Sequence, residues 1–195
     1  GRSGLSISAI GITPTPFGVM QNNVITDPKL MAQALRQLFR ESGITAKKVI
    51  GSVAGQSSVV IRIIEVPRMT DAELKETMKW EVERHVPFAP SETIMDYQPL
   101  PPLGPQGDNN PNMEVLLAVA QQDIVGNFID TLFAAGLDPI AIDIEPLAGA
   151  RALLELSNGQ PVVRPPVMSA QTGEFTGSLP GGDEHDTAAI VNVGA

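Results

Sequence analysis

The segment VPRMTDAELKETMKWEVERHVPF, residues 66–88, determines the start and the buried face of one helix. Thr70 and Glu73 have the spacing of a capping box, in which each side chain accepts the backbone N–H of the other residue. Met69 and Leu74 stand at the two positions of a hydrophobic staple around that cap. From Leu74 onward every fourth residue is apolar, namely Leu74, Met78, Val82 and Val86. We therefore predict an amphipathic helix whose apolar stripe packs on a β-sheet.

Strand and helix patterns alternate on the N-terminal side of this helix. We predict a strand over Leu5–Ile12, then a helix capped by Asp27 and ended by Gly43, then a short strand over Lys48–Val53. The stretch Ser58–Val66 is rich in Val and Ile, which is typical of a further strand.

On the C-terminal side we predict two strands, Thr93–Leu100 and Met113–Ala120, joined by a proline-rich loop and therefore paired antiparallel. A second amphipathic helix spans Asp123–Gly136, with its first residue as the cap, and a strand over Ile140–Ile144 follows it. Pro146 then opens a last helix. Together these elements predict an α/β fold.

The composition disfavours several classes of function. A chain of 195 residues that is 43% hydrophobic can bury one substantial core or two small lobes. A net charge of -9 without a Lys/Arg run disfavours nucleic acid as a partner. The absence of cysteine excludes a disulfide framework and points to a reducing cytoplasm. The longest apolar runs fall far short of a bilayer span, so we predict no membrane insertion.

The two ends of the chain suggest a piece of a longer protein. The first residue is not methionine, and the apolar run over residues 188–195 has the pattern of a strand that reaches its turn. The preceding segment, residues 159–186, is polar and rich in Pro and Gly, which predicts a linker.

Candidate catalytic and metal-binding groups are few. Glu81 and His85 lie one helical turn apart, but two ligands without a third do not hold a metal, so a solvated helix surface is the favoured interpretation. No Ser-His-Asp or Cys-His arrangement has a placed base. Asp96 and Asp143 lie in strands or at strand ends, where a carboxylate is either an edge charge or a contact for a partner. We predict that the chain is not an enzyme and holds no metal.

Several motifs carry a resemblance to a known family. They are a Val-Pro-x-Met turn at residues 66–69, Trp-Glu-x-Glu at residues 80–83, Pro-Phe at residues 87–88, and the blocks at residues 136–139 and 143–146. In these motifs, and over nearly all residues before Asn158, the chain resembles the PilM family, the actin-like, inner-membrane-associated proteins of type IV pilus assembly.

The resemblance implies an actin-like (FtsA-like) α/β fold with an inserted small α+β subdomain, and a chain that stops before the second actin-like half. On that basis residues 1–57 and 137–158 form the first large subdomain. Residues 58–136 form the inserted subdomain, residues 159–186 the linker, and residues 187–195 the first strand of the second half.

The resemblance also bears on nucleotide binding. The family's first phosphate turn, Asp-Ile-Gly, lies before the start of this chain, and its second, usually Asp-x-Gly, reads Asn192-Val193-Gly194 here. Asn192 and Gly194 are therefore weak candidates for cofactor binding, in the full-length protein only. We expect no cofactor in this piece, and leave ATP and Mg²⁺ open for the full-length protein.

Finally, the resemblance implies a groove between the two subdomains that takes the N-terminal cytoplasmic peptide of a PilN-like inner-membrane protein. We expect its walls and polar contacts to come from Trp80, Glu81, Arg84, Pro87, Phe88, Asp96 and Asp143. For Trp80, packing against the neighbouring strand is an equal alternative. The predicted function is a cytoplasmic scaffold, peripheral to the inner membrane. The alternative hypothesis is an ATP-binding or ATP-hydrolysing actin-like protein of the division-filament or secretion-system type.

Overall fold

The computed structural model describes residues 7–22, 24–53, 59–101, 110–149, 167–168, 175–176 and 189–192. Its strands are β1 (Met20–Gln21), β2 (Val24–Ile25), β3 (Lys48–Val53), β4 (Val59–Pro67), β5 (Thr93–Pro99), β6 (Asn112–Gln121), β7 (Asp138–Ile144), β8 (Val167–Met168), β9 (Phe175–Thr176) and β10 (Ala189–Asn192). Its α-helices are α1 (Pro28–Glu41), α2 (Asp71–His85) and α3 (Gln122–Ala134), with a 3-10 turn at Pro90–Glu92 and a further helical stretch at residues 145–149.

The larger sheet has five strands in the order β10-β3-β7-β8-β9. The first three are parallel neighbours, and β8 and β9 continue the sheet antiparallel. Helices α1 and α3 pack against each other and form one core with the sheet, which we call the first core. Gly51 allows the close approach of α3, because a Cβ at that position would lie 2.3 Å from Cε1 of Phe128.

Helix α1 begins and ends as its sequence predicts. The Asp27 carboxylate accepts the N–H of Leu30 at 3.0 Å, and Pro28 occupies the first turn, where its missing N–H costs nothing. Gly43 follows the helix with a φ of +66°, a conformation that glycine adopts without strain. Both terminal signals in the sequence are confirmed.

The smaller sheet has three antiparallel strands in the order β4-β6-β5, so the predicted pairing of β5 with β6 is confirmed. Helix α2 lies on one face of it. The predicted capping box is present, with the Glu73 carboxylate accepting the Thr70 N–H at 2.9 Å and the Thr70 hydroxyl accepting the Glu73 N–H at 3.4 Å. The predicted stripe of Leu74, Met78, Val82 and Val86 is buried against the sheet in a second core.

Two sequence predictions are wrong. Residues 7–12 form no strand within the described part of the chain, and Ile7, Ile10 and Ile12 are exposed. Alternation predicts a strand only where another strand edge is available to pair with it. Asp123 is not the cap of α3, because the helix continues directly from β6 and Gln121 takes the cap position without a side-chain hydrogen bond. The Asp123 carboxylate instead accepts the N–H of Ile124 at 2.8 Å.

The predicted division into subdomains stays a prediction. The smaller sheet and α2 fall inside residues 58–136, and α3, which is also in that range, contributes Val125, Phe128 and Leu132 to the first core. Most of residues 159–186 lies outside the described residues, apart from β8 and β9. Strand β10 falls within residues 187–195, while Gly194 lies outside the described residues.

Candidate functional site

The three-stranded sheet has two chemically different faces, because successive side chains of a strand point to opposite sides. The register aligns Arg62, Leu117 and Tyr97 in one row and Ile61, Ala118 and Asp96 in the next. The row that contains Leu117 lies on the side of α2, since Leu117 and Tyr97 belong to the second core. We call this side the helix face, and the side that carries Ala118 the open face.

One end of the open face is covered by the first core. Ala118 and Ala120 are buried in that core, and Val59, Ile61 and Ile94 pack against it. The two cores therefore meet through the sheet itself, with Val115, Leu117 and Val119 of β6 in the second core and Ala118 and Ala120 in the first.

Beyond that contact the open face is accessible. Ile63, Leu116 and Gln98 form the next row, in which Leu116 and Gln98 are half-buried and the Ile63 side chain is 62% exposed. We call the set Ile63, Leu116, Gln98 and Asp96 the shelf. Glu65 and Glu114, paired with each other at its outer end, are exposed. The shelf thus presents two apolar side chains, Ile63 and Leu116, next to the amide of Gln98 and the carboxylate of Asp96, and Glu65 and Glu114 lie beyond its outer end.

Asp96 lies on the open face at the edge of the region that the first core covers. Burial beside Ala118 raises the pKa of its carboxyl to about 6, and the hydrogen bond from the backbone N–H of Tyr97 acts in the opposite direction. Asp96 makes no ion pair with another residue in the described part of the chain. This carboxylate is therefore only partly ionised under mildly acidic conditions.

The outer surface of α2, which carries three of the predicted site residues, is separate from the shelf. Trp80 is two residues from both Met78 and Val82, about 200° around the helix from the buried stripe, and its side chain is 68% exposed. Arg84 follows one turn later on the same surface. Its guanidinium donates to Glu81 at 3.1 Å. The packing alternative for Trp80 is therefore wrong, because the ring does not lie against a strand.

Glu81 also contacts His85, with 3.3 Å between the carboxylate and Nε2. The two side chains thus meet on the helix, as their spacing predicts, but no third ligand joins them. Among the described residues there is no group of three or more His, Asp or Glu side chains that could hold a metal ion. In the turn after α2, Phe88 is half-buried against the second core and Pro87 is exposed.

The motifs that suggested a family can be compared with known proteins. A sequence profile described as type IV pilus assembly protein PilM matches residues 1–162. The chain belongs to the PilM family. A solved chain described as a PilM-PilN type IV pilus biogenesis complex is 32% identical, with a TM-score of 0.63 over 74% of this chain and 43% of that chain. The cytoplasmic domain of Epsl, an inner membrane component of the type II secretion system of Vibrio cholerae, is 14% identical, with a TM-score of 0.44 over 64% of this chain and 45% of that chain.

Membership in the PilM family confirms the predicted fold class, and the parallel strands β10, β3 and β7 with their helices belong to an actin-like α/β fold. This chain spans 43% of the length of the solved PilM chain that it matches. In the described part of this PilM-family chain, no helix is both long enough and apolar enough to cross a membrane.

The carboxyl ends of the parallel strands hold the remaining candidates. Asn192, Ser52 and Asp143 share one row across β10, β3 and β7. Asp143 is buried, and its carboxylate accepts the N–H of Ile144 at 2.7 Å. Polar residues at the carboxyl ends of parallel strands are the usual place for a ligand in an open α/β sheet.

The structure therefore distributes the predicted site residues over three places. Trp80, Glu81 and Arg84 lie together on α2, Asp96 lies on the open face, and Asp143 lies in the larger sheet. Ile63 and Leu116 were not predicted as site residues, because in the sequence they have the pattern of ordinary core residues of apolar strands. Only the register of β4 with β6 shows that they share an accessible face with Asp96.

Proposed function

We propose that this chain is a non-enzymatic scaffold of type IV pilus assembly whose shelf binds the N-terminal peptide of a PilN-like inner-membrane protein. The observation that supports the proposal is the shelf itself, which places the exposed Ile63 and the half-buried Leu116 next to two polar side chains on the part of the open face that the first core leaves uncovered. The family and the solved relative, which is described as a PilM-PilN complex, supply the class of partner.

The chemistry of the shelf suits an extended peptide. A peptide gains affinity from a few apolar anchors and gains orientation from a small number of placed polar groups. Ile63 and Leu116 offer the apolar contact, while Gln98 and Asp96 offer hydrogen-bonding groups beside it. An apolar side chain that covers Ile63 removes exposed hydrocarbon from water, which contributes about 25 cal/mol per Å² of buried surface.

The partner also accounts for the predicted location. We propose that the chain is held at the inner membrane through the PilN-like protein, on the cytoplasmic side, and does not insert itself. Its net charge of -9 opposes direct attraction to anionic lipid headgroups, so a protein anchor suits it better than a lipid contact.

A titration of a fluorescently labelled peptide tests the proposal. The peptide comprises the N-terminal cytoplasmic residues of the PilN-like protein from the same genome, and its anisotropy is measured as this chain is added. We expect saturable binding with a one-to-one ratio. Trp80 fluorescence is expected to stay constant, because Trp80 is not on the shelf. Absence of binding at high concentration would contradict the proposal.

The alternative hypothesis, ATP binding or hydrolysis, has one observation in its favour, the polar row of Asn192, Ser52 and Asp143. The described donors do not fit a Mg²⁺-nucleotide complex, since Asp143 is buried with an oxygen bonded to its own strand, and no three acidic or His side chains converge. We derive no catalytic step from them. Phosphate release by the full-length protein that is lost when Gly194 is substituted would favour the alternative.

A further inference from the structure

The charge of the shelf specifies the kind of peptide that it accepts. Resting on the function proposed above, we infer that the bound segment carries a Lys or Arg side chain that pairs with Asp96, with an apolar side chain two residues away that covers Leu116 and Ile63. The partner is thus an extended, basic and apolar segment.

The open face carries charge of one sign. Its ionisable residues in β4, β5 and β6 are Asp96, Glu65 and Glu114, which are all acidic. Arg62, the cation inside β4, pairs in register with Leu117 and so belongs to the helix face. Arg68 lies past the end of β4, where its Nε donates to the carbonyl oxygen of Asn110. Among the described residues of these three strands, no cation lies on the open face, so a cationic occupant would complement its charge.

Covering Asp96 with a neutral segment has a cost. The residue faces Ala118 across the strand pair at the edge of the first core, and burial has raised the pKa of its carboxyl to about 6. A neutral segment laid over it at neutral pH would remove its remaining water and leave a buried charge without a partner. A guanidinium or ammonium group compensates that loss directly with a charge-assisted hydrogen bond. A cationic occupant is therefore favoured over an entirely apolar one.

The spacing of the two groups matches an extended chain. Asp96 and Leu116 are diagonal neighbours on adjacent strands, and such residues lie about 7–8 Å apart, with their Cβ atoms somewhat closer. Residues i and i+2 of an extended chain project to the same side about 6.6–6.8 Å apart. A basic residue and an apolar residue separated by one position therefore reach both groups at once.

Peptide and protein variants together test the pairing. The probe is the N-terminal peptide of the PilN-like protein, used as it is and with every Lys and Arg replaced by Gln, against the wild-type chain and Asp96→Asn. We expect the Gln-substituted peptide with the wild-type chain, and the original peptide with Asp96→Asn, each to bind about tenfold more weakly or worse. The Gln-substituted peptide with Asp96→Asn is expected to bind little more weakly than either, because the same pair has already been broken. Glu114→Gln, which removes an exposed carboxylate on the same face, is the matched control and is expected to change affinity by about twofold or less.

Acidification gives a second readout. Affinity of the wild-type chain for the basic peptide is expected to fall as the pH drops through about 6, while that of Asp96→Asn stays level. If the wild-type chain binds both peptides equally and Asp96→Asn binds like wild type, the pairing is wrong although the proposed function stands. If the wild-type chain binds neither peptide, the proposed function itself is contradicted.

Discussion

Trp80 and Asp96 lie on opposite sides of the same three-stranded sheet. Helix α2 lies on the helix face, Trp80 projects from its far side, and Asp96 belongs to the open face. At least a helix diameter, roughly 10 Å, therefore separates the indole from the strands that carry Asp96. A short peptide bound on the shelf does not contact both residues. Substitution of Asp96 is therefore expected to change the affinity for the peptide, and substitution of Trp80 is expected to leave it unchanged.

Substitution of Asp96 is expected to change how stability depends on pH. Because the folded state raises the pKa of this carboxyl from 3.8 to about 6, the folded chain holds a proton that the unfolded chain has lost between those values. Stability contributed by the protonated form is therefore present at low pH and is lost as the pH rises through about 6. Asp96→Asn removes this dependence, and the variant is expected to be more stable than wild type at neutral pH.

The expected gain is about 1 kcal/mol. The full shift corresponds to about 3 kcal/mol, but the carboxylate remains partly open to water, which screens much of that cost. Urea unfolding of both proteins at a pH of about 4.5 and about 7.5 measures the difference. A variant whose stability relative to wild type is the same at both values would show that Asp96 is not desolvated.

The capping box of α2 gives a second prediction. Thr70→Ala removes the hydroxyl that accepts the Glu73 N–H, and the free energy of unfolding is expected to fall by about 1 kcal/mol. Lys75→Ala, an exposed position in the same helix, is the control and is expected to stay within about 0.5 kcal/mol of wild type.

The same box has a pH signature. Its backbone and side-chain hydrogen bonds from Thr70 lower the pKa of Glu73. The contribution of Glu73 is therefore present above its unfolded pKa and is lost as the pH falls through the folded value. Thermal unfolding is expected to show that the difference in melting temperature between wild type and Thr70→Ala becomes smaller in acid. A difference that becomes larger in acid would contradict the role given to Glu73.

The packing of α3 on β3 gives a third prediction through two glycines. A Cβ at Gly51 meets the Phe128 ring at 2.3 Å and Cδ1 of Ile142 at 2.8 Å, so Gly51→Ala is expected to cost about 1–3 kcal/mol. Gly126, within α3, has open space around a Cβ, and Gly126→Ala is expected to stabilise the chain by about 0.5–1 kcal/mol. Chemical denaturation of the pair checks the contrast, and a neutral Gly51→Ala would mean that α3 does not pack closely there.

Local features of the sequence predicted more than long-range ones. The cap and the stripe of α2 involve residues within or next to one helix, and both were predicted correctly from spacing alone. The failed strand over residues 7–12 depends on a neighbouring strand edge, which alternation does not reveal. Likewise, Asp96 and Trp80 are only sixteen positions apart, and the register of β5 with β6 is what separates their surfaces. Site residues that belong to different elements could not be grouped correctly from motifs.

The most direct test compares two exposed apolar residues on opposite sides of the three-stranded sheet, Ile63 at 62% and Trp80 at 68% exposure. Anisotropy titrations of the PilN-like N-terminal peptide are carried out with Ile63→Gln and Trp80→Ala, after circular dichroism has shown that both variants fold. We predict that Ile63→Gln weakens binding at least about tenfold and that Trp80→Ala changes it by less than about twofold. Loss of binding in Trp80→Ala with unchanged binding in Ile63→Gln would place the peptide on α2 and contradict the proposed site.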